Sequence, residues 1–225
     1  MKVSLVAVSQ PQIANPESGA SLTAEQLIVY CARVSNPNNQ LNLATGERLL
    51  KYCIRHGHWS VFETVSMTVE IQTSRAIAAQ ILRHRSFSFQ EFSQRYAVAT
   101  GGSEPIELRW KAGTNRQGSG EVVEIPDMPE FHAVVRESIA KAEETYAALI
   151  EIGIAPECAR FVLPLATKTT LYMTGSVRSW IHYLGQRLSL HAQKEHRLVA
   201  EVIGSIFAAQ FPATWAAVND TTPEV

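Results

Sequence analysis

The sequence has few cysteines and lacks long apolar runs. No run reaches the roughly 18 consecutive apolar residues that a membrane-spanning helix needs, so no membrane partner is expected. Residues 1–8 show no long apolar core followed by a small-residue cleavage site, so no secretion signal is predicted. Cys31, Cys53 and Cys158 are odd in number and far apart, which suits free thiols in a reducing compartment. The sequence therefore predicts a cytoplasmic protein.

An excess of charge of one sign is also missing. The formal net charge is −1 at pH 7, which excludes a strong pull of the whole molecule toward nucleic acid or anionic membrane. Hydrophobic residues make up 46% of the 225 residues, enough for a substantial core, and the length predicts one domain over 1–225. The basic residues are 14 Arg against 6 Lys, and Arg is the better residue for gripping phosphate or carboxylate with a planar fork.

Two common nucleotide-binding signatures are absent from the sequence. No G-x-G-x-x-G motif follows a predicted strand, and no G-x-x-x-x-G-K-[ST] motif occurs. A Rossmann turn and a P-loop are therefore both unsupported.

Hydrophobic periodicity predicts a mixed order of helices and strands, which favours an α/β or α+β domain. Strands are predicted at 3–8, 65–71 and 167–174, and helices at 22–34, 47–54, from 74, 127–153, 156–163, 177–188 and 189–210. Leu198, Val202 and Ile206 are expected to form the buried side of the last helix. Residues 100–126, with five Gly, are predicted to form a long loop.

The segment RHRSFSFQEFSQRY, from Arg83 to Tyr96, interleaves cations, hydroxyls and a carboxylate with aromatic rings. Such a segment can hold phosphates and stack on flat rings at once. A plainer explanation is that Arg83, His84 and Arg85 complement a helix C-terminal dipole, but this leaves the polar run behind them unexplained. A nucleic-acid-binding module would use the same chemistry, although such modules usually carry a broad basic surface.

This segment resembles the signature of flavin-dependent thymidylate synthases, R-H-R closed by E-x-S-x-R-Y. Five further motifs, two before this segment and three after it, appear in the family's order. They are Ala32–Ser35, His56–His58 with Phe62 and Glu63, Ala159–Pro164, Arg178 with Ser179, and Arg187 with His191–Gln193 and Glu195. The resemblance implies an α/β (α+β) domain with a mixed central sheet flanked by helices, the thymidylate synthase-complementing protein fold. It also implies a homotetramer with active sites shared between subunits.

The reaction implied by the resemblance is the reductive methylation of dUMP to dTMP, so the protein would be a methyltransferase and a flavoprotein. The carbon donor would be 5,10-methylene-tetrahydrofolate and the cofactor FAD, reduced by NADPH, with tetrahydrofolate as the second product. The expected partners are thus dUMP, folate and NADPH, without nucleic acid.

Two overlapping sets of site residues follow from the resemblance. The dUMP set is Gln80, Ile81, Leu82, Arg83, Glu91, Phe92, Ser93, Gln94, Arg95, Arg160 and Arg187. The FAD set is Ser35, His58, Ser60, Arg83, His84, Arg85, Glu91, Ser176, Val177, Arg178 and His182. Arg187 is the expected catalytic residue, stabilising negative charge on the uracil ring so that C5 becomes nucleophilic. Gln80 is polar within an apolar helix, and contact with dUMP would explain why it is there.

Other interpretations of single residues remain open at this stage. Ser93 near cations invites a nucleophile interpretation, and Arg187 has the alternative of a solvated position on a helix face. The Cys53-x-x-His56-x-His58 spacing suggests a metal site or a metal-dependent nucleotide hydrolase, but no second cluster completes a ligand set, so no metal is expected. Ser176 and His182 stand where many relatives carry Asn facing the flavin. His191 and His196 are expected to pack or to form hydrogen bonds.

Overall fold

The computed structural model describes residues 1–15, 18–113 and 118–221. The strands are β1 (Lys2–Val8), β2 (Ser66–Ser74), β3 (Ser88–Glu91), β4 (Arg109–Lys111), β5 (Ser119–Val122) and β6 (Lys168–Ser176). The helices are α1 (Ala24–Ala32), α2 (Gly46–Arg55), α3 (Arg75–Ile81), α4 (Pro129–Glu151), α5 (Pro156–Ala159), α6 (Val177–Arg187), α7 (Lys194–Gln210) and α8 (Pro212–Thr221). Short 3₁₀ turns cover Pro37–Asn39, Leu43–Thr45, Trp59–Glu63 and Arg160–Val162.

Four strands form the central sheet in the order β1-β2-β6-β3, and each neighbouring pair is antiparallel. The α+β class is confirmed, whereas the expectation of a mixed sheet is wrong. The central pair runs in full register, from Ser66 opposite Ser176 to Ser74 opposite Lys168. β2 begins at the end of the sheet where β1 finishes, and β6 begins at the end where β2 finishes, which gives both pairs their antiparallel arrangement.

Side chains alternate between the two faces of this sheet. Met67, Val69 and Ile71 of β2 are fully buried, as are Leu171 and Met173 of β6. These residues belong to one continuous hydrophobic cluster that also contains buried side chains of α3, α6 and α7. One face of the sheet is therefore covered by helices, as the period-two pattern predicted.

Each central strand ends in a serine that caps the next helix. Ser74 accepts a hydrogen bond from the backbone N–H of Ile77 at the start of α3, and Ser176 accepts one from Ser179 at the start of α6. Because β2 and β6 are antiparallel, α3 and α6 begin at opposite ends of the sheet. Their C-terminal ends can therefore approach each other over the covered face.

The last predicted helix, 189–210, corresponds to α7, and α8 follows it beyond the predicted range. α7 begins at Lys194, five residues later than expected. No single helix among the described residues is long and apolar enough to cross a membrane. α7 and α8 together have the length and composition for a span, but the chain bends by 119° between them. The expectation that Leu198 and Val202 are buried is wrong, since each is 37% exposed in the chain. The buried side is formed by Val199, Ala200 and Ile203, because apolar residues surround much of α7 and periodicity alone does not choose the stripe that packs.

The segment 100–126 is not a loop throughout. β4 and β5 form an antiparallel hairpin within it, with Arg109 opposite Val122. Residues 114–117 of this segment lie outside the described residues. Arg109 also forms an ion pair with Glu195, which ties the hairpin to the first turn of α7.

Candidate active site

The ends of α3 and α6 meet at one hydrogen bond. Nε of Arg187, the last residue of α6, donates to Nε2 of His84, which lies three residues beyond α3, over 2.9 Å. The bond uses Nε of the guanidinium and does not involve its Nη groups. We call Gln80, His84 and Arg187 the helix junction.

The imidazole of His84 is a neutral acceptor. Burial, together with the positive charges of Arg187, His182 and Arg83, lowers its pKa to about 4. A neutral imidazole with Nε2 unprotonated is the form that can accept the bond from Arg187. The chain thus keeps one fixed cation at the junction.

Gln80 lies in the last turn of α3, is half-buried, and contacts two partners. Its Nε2 donates to Oε1 of Gln193 over 2.6 Å, and its Oε1 lies 3.4 Å from Nδ1 of His196. His196 is fully buried and also lies 3.1 Å from the hydroxyl of Tyr183. The polar Gln80 side chain is therefore satisfied within the chain and stands at the rim of the core.

A second polar group forms at the start of α3. Nη1 of Arg75 donates to Oε1 of Glu91 over 2.7 Å, and the hydroxyl of Thr169 donates to the same oxygen over 2.9 Å. Beside them, a pocket of about 310 Å³ is lined by Arg75, Gln94 and Arg160, together with Phe161 and residues 163–165. We call this the arginine pocket.

The arginine pocket contains an unpaired polar atom. Gln94 is only 6% exposed, and its Nε2 has no hydrogen-bond partner among the described residues. A buried donor without a partner costs free energy, on the order of 1–3 kcal/mol, unless something accepts its proton. Next to Gln94, Arg95 forms a surface ion pair with Glu157 of α5, over 3.1 Å, which places it on the same side as Arg160. The donor set suits an anionic group such as a phosphate.

A larger cleft of about 710 Å³ lies beside α6. Arg178 and His182 line it from α6, and Trp59, Glu63 and Ser86 line it from the opposite side. Its volume is within the range of roughly 300–1,000 Å³ that is usual for cofactor sites. We call it the α6 cleft.

The α6 cleft has side chains that suit a flat ring system and a nearby anion. It offers apolar and aromatic walls, and Arg178 forms a surface ion pair with Glu63, over 2.9 Å. Arg83 and Arg85 are exposed near the other end of the same region, next to Ser86. Cations beside a cleft that accepts rings match the diphosphate and ring system of FAD.

The remaining expected residues lie in several places. Ser35, His58, Ser60, Leu82, Phe92 and Ser93 are exposed. Ser176 is engaged as the cap of α6, and Glu91 by Arg75. Ile81 and Val177 lie in the core and have no exposed surface, so neither presents an atom to a ligand in this chain.

Apart from those at the α6 cleft, several residues expected from sequence fall into two groups within one chain, the helix junction and the arginine pocket. The helix junction lies beyond the C-terminal end of α3 and the arginine pocket lies at its start, and seven helical residues at about 1.5 Å each separate them by about 10 Å. Both groups combine polar donors with nearby apolar surface. A molecule with a phosphate at one end and a polar ring at the other matches this spacing.

The Cys53-x-x-His56-x-His58 spacing does not gather its members around a common point. Cys53 is buried in the core, where burial raises its pKa, whereas His56 stacks on Tyr52 with ring centroids 4.1 Å apart. Across the described ranges, no group of three His, Cys, Asp or Glu side chains is placed to hold a metal ion.

Three features of the site escaped sequence reasoning. Arg75 carried a local signal, since a cation in the first turn of a helix opposes the helix dipole and needs a carboxylate such as Glu91 nearby. The hydrogen bonds of His196 with Gln80, and the ion pair between Arg109 and Glu195, join residues distant in sequence and carried none.

Comparisons with known proteins identify relatives of this chain. A family model described as "Thymidylate synthase complementing protein" matches residues 20–213. The chain is 49% identical over 213 residues to a "Probable flavin-dependent thymidylate synthase" of Paramecium bursaria Chlorella virus 1, covering 95% of this chain and 96% of that protein. It is 48% identical over 219 residues to a "Flavin-dependent thymidylate synthase" of Synechocystis sp., covering 97% of this chain and 100% of that protein.

A solved structure has the same fold. The crystal structure of the UMP/dUMP methylase PolB from Streptomyces cacaoi bound with 5-Br dUMP matches with a TM-score of 0.81 and 29% identity. The match covers 97% of this chain and 94% of that chain. A second crystal structure of the same methylase, bound with 5-Br UMP, matches with a TM-score of 0.81 and 27% identity.

Proposed function

Because this chain belongs to the thymidylate synthase complementing protein family, the flavin-dependent thymidylate synthases, we propose that it converts dUMP to dTMP. One observation carries the assignment of the site: the helix junction and the arginine pocket lie about 10 Å apart along α3, with cations and amides at both. The uracil ring would lie at the junction and the phosphate in the pocket.

The overall reaction transfers one carbon and a hydride. The methylene group of 5,10-methylene-tetrahydrofolate passes to C5 of dUMP, and NADPH is the reductant; dTMP and tetrahydrofolate are the products. When bound, FAD supplies the hydride that completes the methyl group. The protein's own part is to bind, orient and polarise the substrate.

Arg187 is the residue that we assign to polarisation of uracil. Its guanidinium is fixed by His84 and is half-buried, so its charge acts with less screening than on an open surface. Negative charge that develops at N3 and the adjacent carbonyl of uracil would be stabilised by this cation, which makes C5 more nucleophilic. Since the cation is already in place, no reorganisation is needed during the reaction.

The phosphate of dUMP would bind in the arginine pocket. Arg160 supplies a cation from the turn after α5, Arg95 supplies another from the surface, and Gln94 supplies the N–H that has no partner within the described chain. Arg75 is occupied by Glu91, so we assign this pair to holding the pocket's wall. Charge-assisted hydrogen bonds of this kind contribute about 1.5–3 kcal/mol each.

FAD would be held at the α6 cleft. Arg178 and His182 line that cleft, and Arg83 and Arg85 provide charge for the diphosphate. Since Ser176 is already engaged in capping α6, we assign it to positioning Arg178 rather than to a side-chain contact with the flavin. His84 belongs to the junction and faces Arg187.

We further propose a homotetramer whose active sites are shared between subunits. Large apolar side chains next to site residues support this: Tyr96 is 91% exposed, Phe161 83% and Leu190 84% in the chain. Each follows closely on a residue assigned to a ligand. Light scattering coupled to size-exclusion chromatography should give four times the mass of one chain.

Sharing of sites has its own test. The variants Arg187→Ala, at the helix junction, and Arg85→Ala, beside the α6 cleft, would be mixed, dissociated and reassembled. If two subunits contribute to one site, some sites regain both residues, and part of the activity returns. Mixed tetramers with no more activity than either variant would place both residues in a site formed by one chain.

The cytoplasm is the compartment that we propose, since the substrates are soluble metabolites and all three cysteines are free. Fractionation of cells that express a tagged chain tests it. Recovery of the chain in a membrane or secreted fraction would contradict the assignment.

The decisive experiment is to incubate the purified protein with dUMP, NADPH and 5,10-methylene-tetrahydrofolate and to measure dTMP. A yellow protein with flavin absorption and dTMP formation that a chelator leaves unchanged is the expected result. Salt-dependent oligonucleotide binding by a colourless protein without dTMP formation would overturn the proposal.

A further inference from the structure

Five side chains form a continuous hydrogen-bonded series from the core to the surface. The hydroxyl of Tyr183 lies 3.1 Å from Nε2 of His196, and Nδ1 of His196 lies 3.4 Å from Oε1 of Gln80. Nε2 of Gln80 then lies 2.6 Å from Oε1 of Gln193, and Nε2 of Gln193 lies 2.8 Å from Oε2 of Glu195. Gln80, which the proposed function assigns to dUMP, is the third member.

The carboxylate at the end decides the direction of every bond in this series. An ionised Glu195 can only accept, so Gln193 must turn its NH₂ group toward Glu195. The carbonyl of Gln193 then faces Gln80. Gln80 must then offer its own NH₂ group to Gln193, which turns its carbonyl toward His196. Nδ1 of His196 therefore carries the proton, and its bare Nε2 accepts from the hydroxyl of Tyr183.

His196 stays neutral throughout this arrangement. Burial lowers its pKa to about 3, and the charges of Arg187 and His84 act in the same direction. A single N–H on the ring is what a one-way series requires. The buried Tyr183 hydroxyl likewise stays protonated, because burial raises its pKa.

An ion-pair cluster fixes the carboxylate at the end. Nη2 of Arg109, on the β4–β5 hairpin, lies 2.7 Å from Oε1 of Glu195, and Arg109 also pairs with Glu107, which Lys194 binds in turn. Burial favours the neutral acid at Glu195, but hydrogen bonds from Gln193, the residue's own amide and Arg109 outweigh it and lower the pKa. Glu195 is thus a carboxylate at neutral pH.

The position of Gln193 shows that this series is not a by-product of helix capping. Gln193 is the N-cap residue of α7, yet its side chain makes no capping hydrogen bond and reaches Gln80 instead. Gln is not among the residues favoured at an N-cap, so its presence there has another reason. The chain uses it to orient the amide of Gln80.

We propose that the series Tyr183–His196–Gln80–Gln193–Glu195, anchored by Arg109, fixes the amide orientation of Gln80 and thereby sets the affinity for the pyrimidine ring of dUMP. This inference rests on the proposed function and deepens it. With both ends of its amide assigned, Gln80 presents one remaining N–H and one remaining carbonyl lone pair in a set order. Gln193, Glu195 and Arg109 are then positioning residues, which act on the substrate through Gln80.

The test is the isosteric variant Gln193→Glu. Its ionised carboxylate cannot donate to Glu195, and repulsion between the two carboxylates should move residue 193 away from Gln80, which then loses its acceptor. The dUMP half-saturation concentration should rise about tenfold at pH 8 with kcat within a factor of two, because the loss falls on ground-state and transition-state binding alike. Calorimetric titration with dUMP alone should show the same loss of affinity. Flavin content should equal that of the parent protein.

The same variant has a readout in pH. In this variant two adjacent carboxylates, at positions 193 and 195, repel each other, which raises the apparent pKa for binding one shared proton. Lowering the pH toward 5.5 should therefore restore a donor between them. The charged groups facing this pair are Arg109, Glu107 and Lys194, and the neutral His196 lies beyond Gln80. The ratio of dUMP affinity between Gln193→Glu and wild type should therefore approach one at acidic pH, which loss of packing would not produce.

Three further variants separate a changed orientation of the Gln80 amide from general damage to the protein. Glu195→Gln keeps an acceptor for Gln193 and should weaken dUMP binding less than threefold, whereas Glu195→Ala should weaken it about tenfold. Gln12→Glu makes the same chemical change in the exposed loop after β1 and should leave dUMP binding unchanged.

The outcomes distinguish the inference from the function beneath it. A wild type that neither binds nor converts dUMP removes the proposed function. A wild type that does both, with Gln193→Glu and Glu195→Ala binding dUMP within twofold of it, overturns the hydrogen-bonded series alone. Weakening that is equal at every pH and equal in Glu195→Gln and Glu195→Ala overturns it too.

Discussion

Nε of Arg187 lies 2.9 Å from Nε2 of His84, and this bond joins the C-terminal ends of two helices that start from opposite ends of the sheet. The lowered pKa of His84 disfavours a second proton on its ring. Its Nε2 is therefore free to accept, and Arg187 donates. The guanidinium is thereby held at the helix junction before any substrate arrives. A pre-positioned cation of this kind stabilises charge that develops on a bound ring.

Replacing Arg187 with Ala should abolish this stabilisation while leaving the flavin in place. We expect FAD content near that of wild type and dTMP formation reduced by at least about 10²-fold, the usual loss when a charge-stabilising group is removed. Visible absorbance measures the first and product formation the second.

Arg187→Lys is the matched control for charge. It keeps the positive charge but loses the planar fork and the bond from Nε to His84, so it should restore only part of the turnover. Undiminished turnover in Arg187→Ala would remove this residue from its assigned role.

The two histidines with lowered pKa should make the protein less stable in mild acid. An unfolded chain takes up a proton on each near pH 6.5, whereas the folded chain does so only near 4 at His84 and near 3 at His196. The unfolded state therefore binds more protons below pH 6.5, and the free energy of unfolding falls as the pH falls.

His196, which is fully buried, isolates this effect. Between pH 7 and 5 it should account for about 2 kcal/mol of lost stability, since one pKa unit corresponds to about 1.4 kcal/mol. Urea unfolding at the two pH values should show a smaller loss for His196→Gln than for wild type. Carboxyls with lowered pKa, such as Asp220, act below their ordinary range near pH 4 and leave this window clear. An identical loss in both proteins would contradict the assignment.

Local patterns predicted the parts of the site that a short stretch of chain determines. An alternating strand followed by Ser74 and an apolar stretch indicated a capped helix, and the structure has it. The spacing of the segment from Arg83 to Tyr96 identified residues that do lie at the junction and beside the arginine pocket. Such features depend on neighbours in sequence, which a pattern displays directly.

Long-range pairs were beyond reach of the same reasoning. The pairing of Arg75 with Glu91 depends on β3 lying beside β6, and that of Arg109 with Glu195 on the hairpin lying against α7. The prediction of which side of α7 is buried was wrong for a related reason. Leu198 and Val199 are both apolar, and only packing against neighbouring elements decides which of them is buried. Tertiary contacts settle what periodicity leaves open.

Arg95 and Glu157 form an ion pair that dUMP would have to break. The pair is on the surface and so is worth about 0–1 kcal/mol, less than a charge-assisted bond to phosphate. Arg95→Ala should therefore raise the dUMP half-saturation concentration about tenfold or more, with flavin content unchanged. Glu157→Gln removes the competing carboxylate and should lower that concentration by up to about fivefold.

Steady-state kinetics with dUMP as the varied substrate measures both variants. Opposite shifts in the two would show that Arg95 exchanges Glu157 for the substrate. If Arg95→Ala changed only flavin occupancy, the division between nucleotide and cofactor contacts would be wrong.

Gly175 allows the turn after α3 to pack against the sheet. A Cβ at this position would lie 2.4 Å from Cδ1 of Phe87, well inside contact distance. β6 is paired on both sides by β2 and β3, so the strand has little freedom to move and the ring of Phe87 must give way. That ring packs edge-on against Trp180 with centroids 4.6 Å apart and lies three residues after His84.

Gly175→Ala should thus cost about 1–3 kcal/mol of stability, as overpacking in a core does, and should also lower dTMP formation by displacing His84. Gly113→Ala, where a Cβ meets nothing within 4 Å, should stay within about 0.5 kcal/mol of wild type. Adding Phe87→Leu to Gly175→Ala makes room for the new methyl group, so the double variant should be more stable than the sum of the two single losses predicts. Denaturant unfolding of the four variants measures this coupling. Strict additivity, or a Gly175→Ala protein with wild-type stability and turnover, would show that Phe87 does not transmit the strain to the junction.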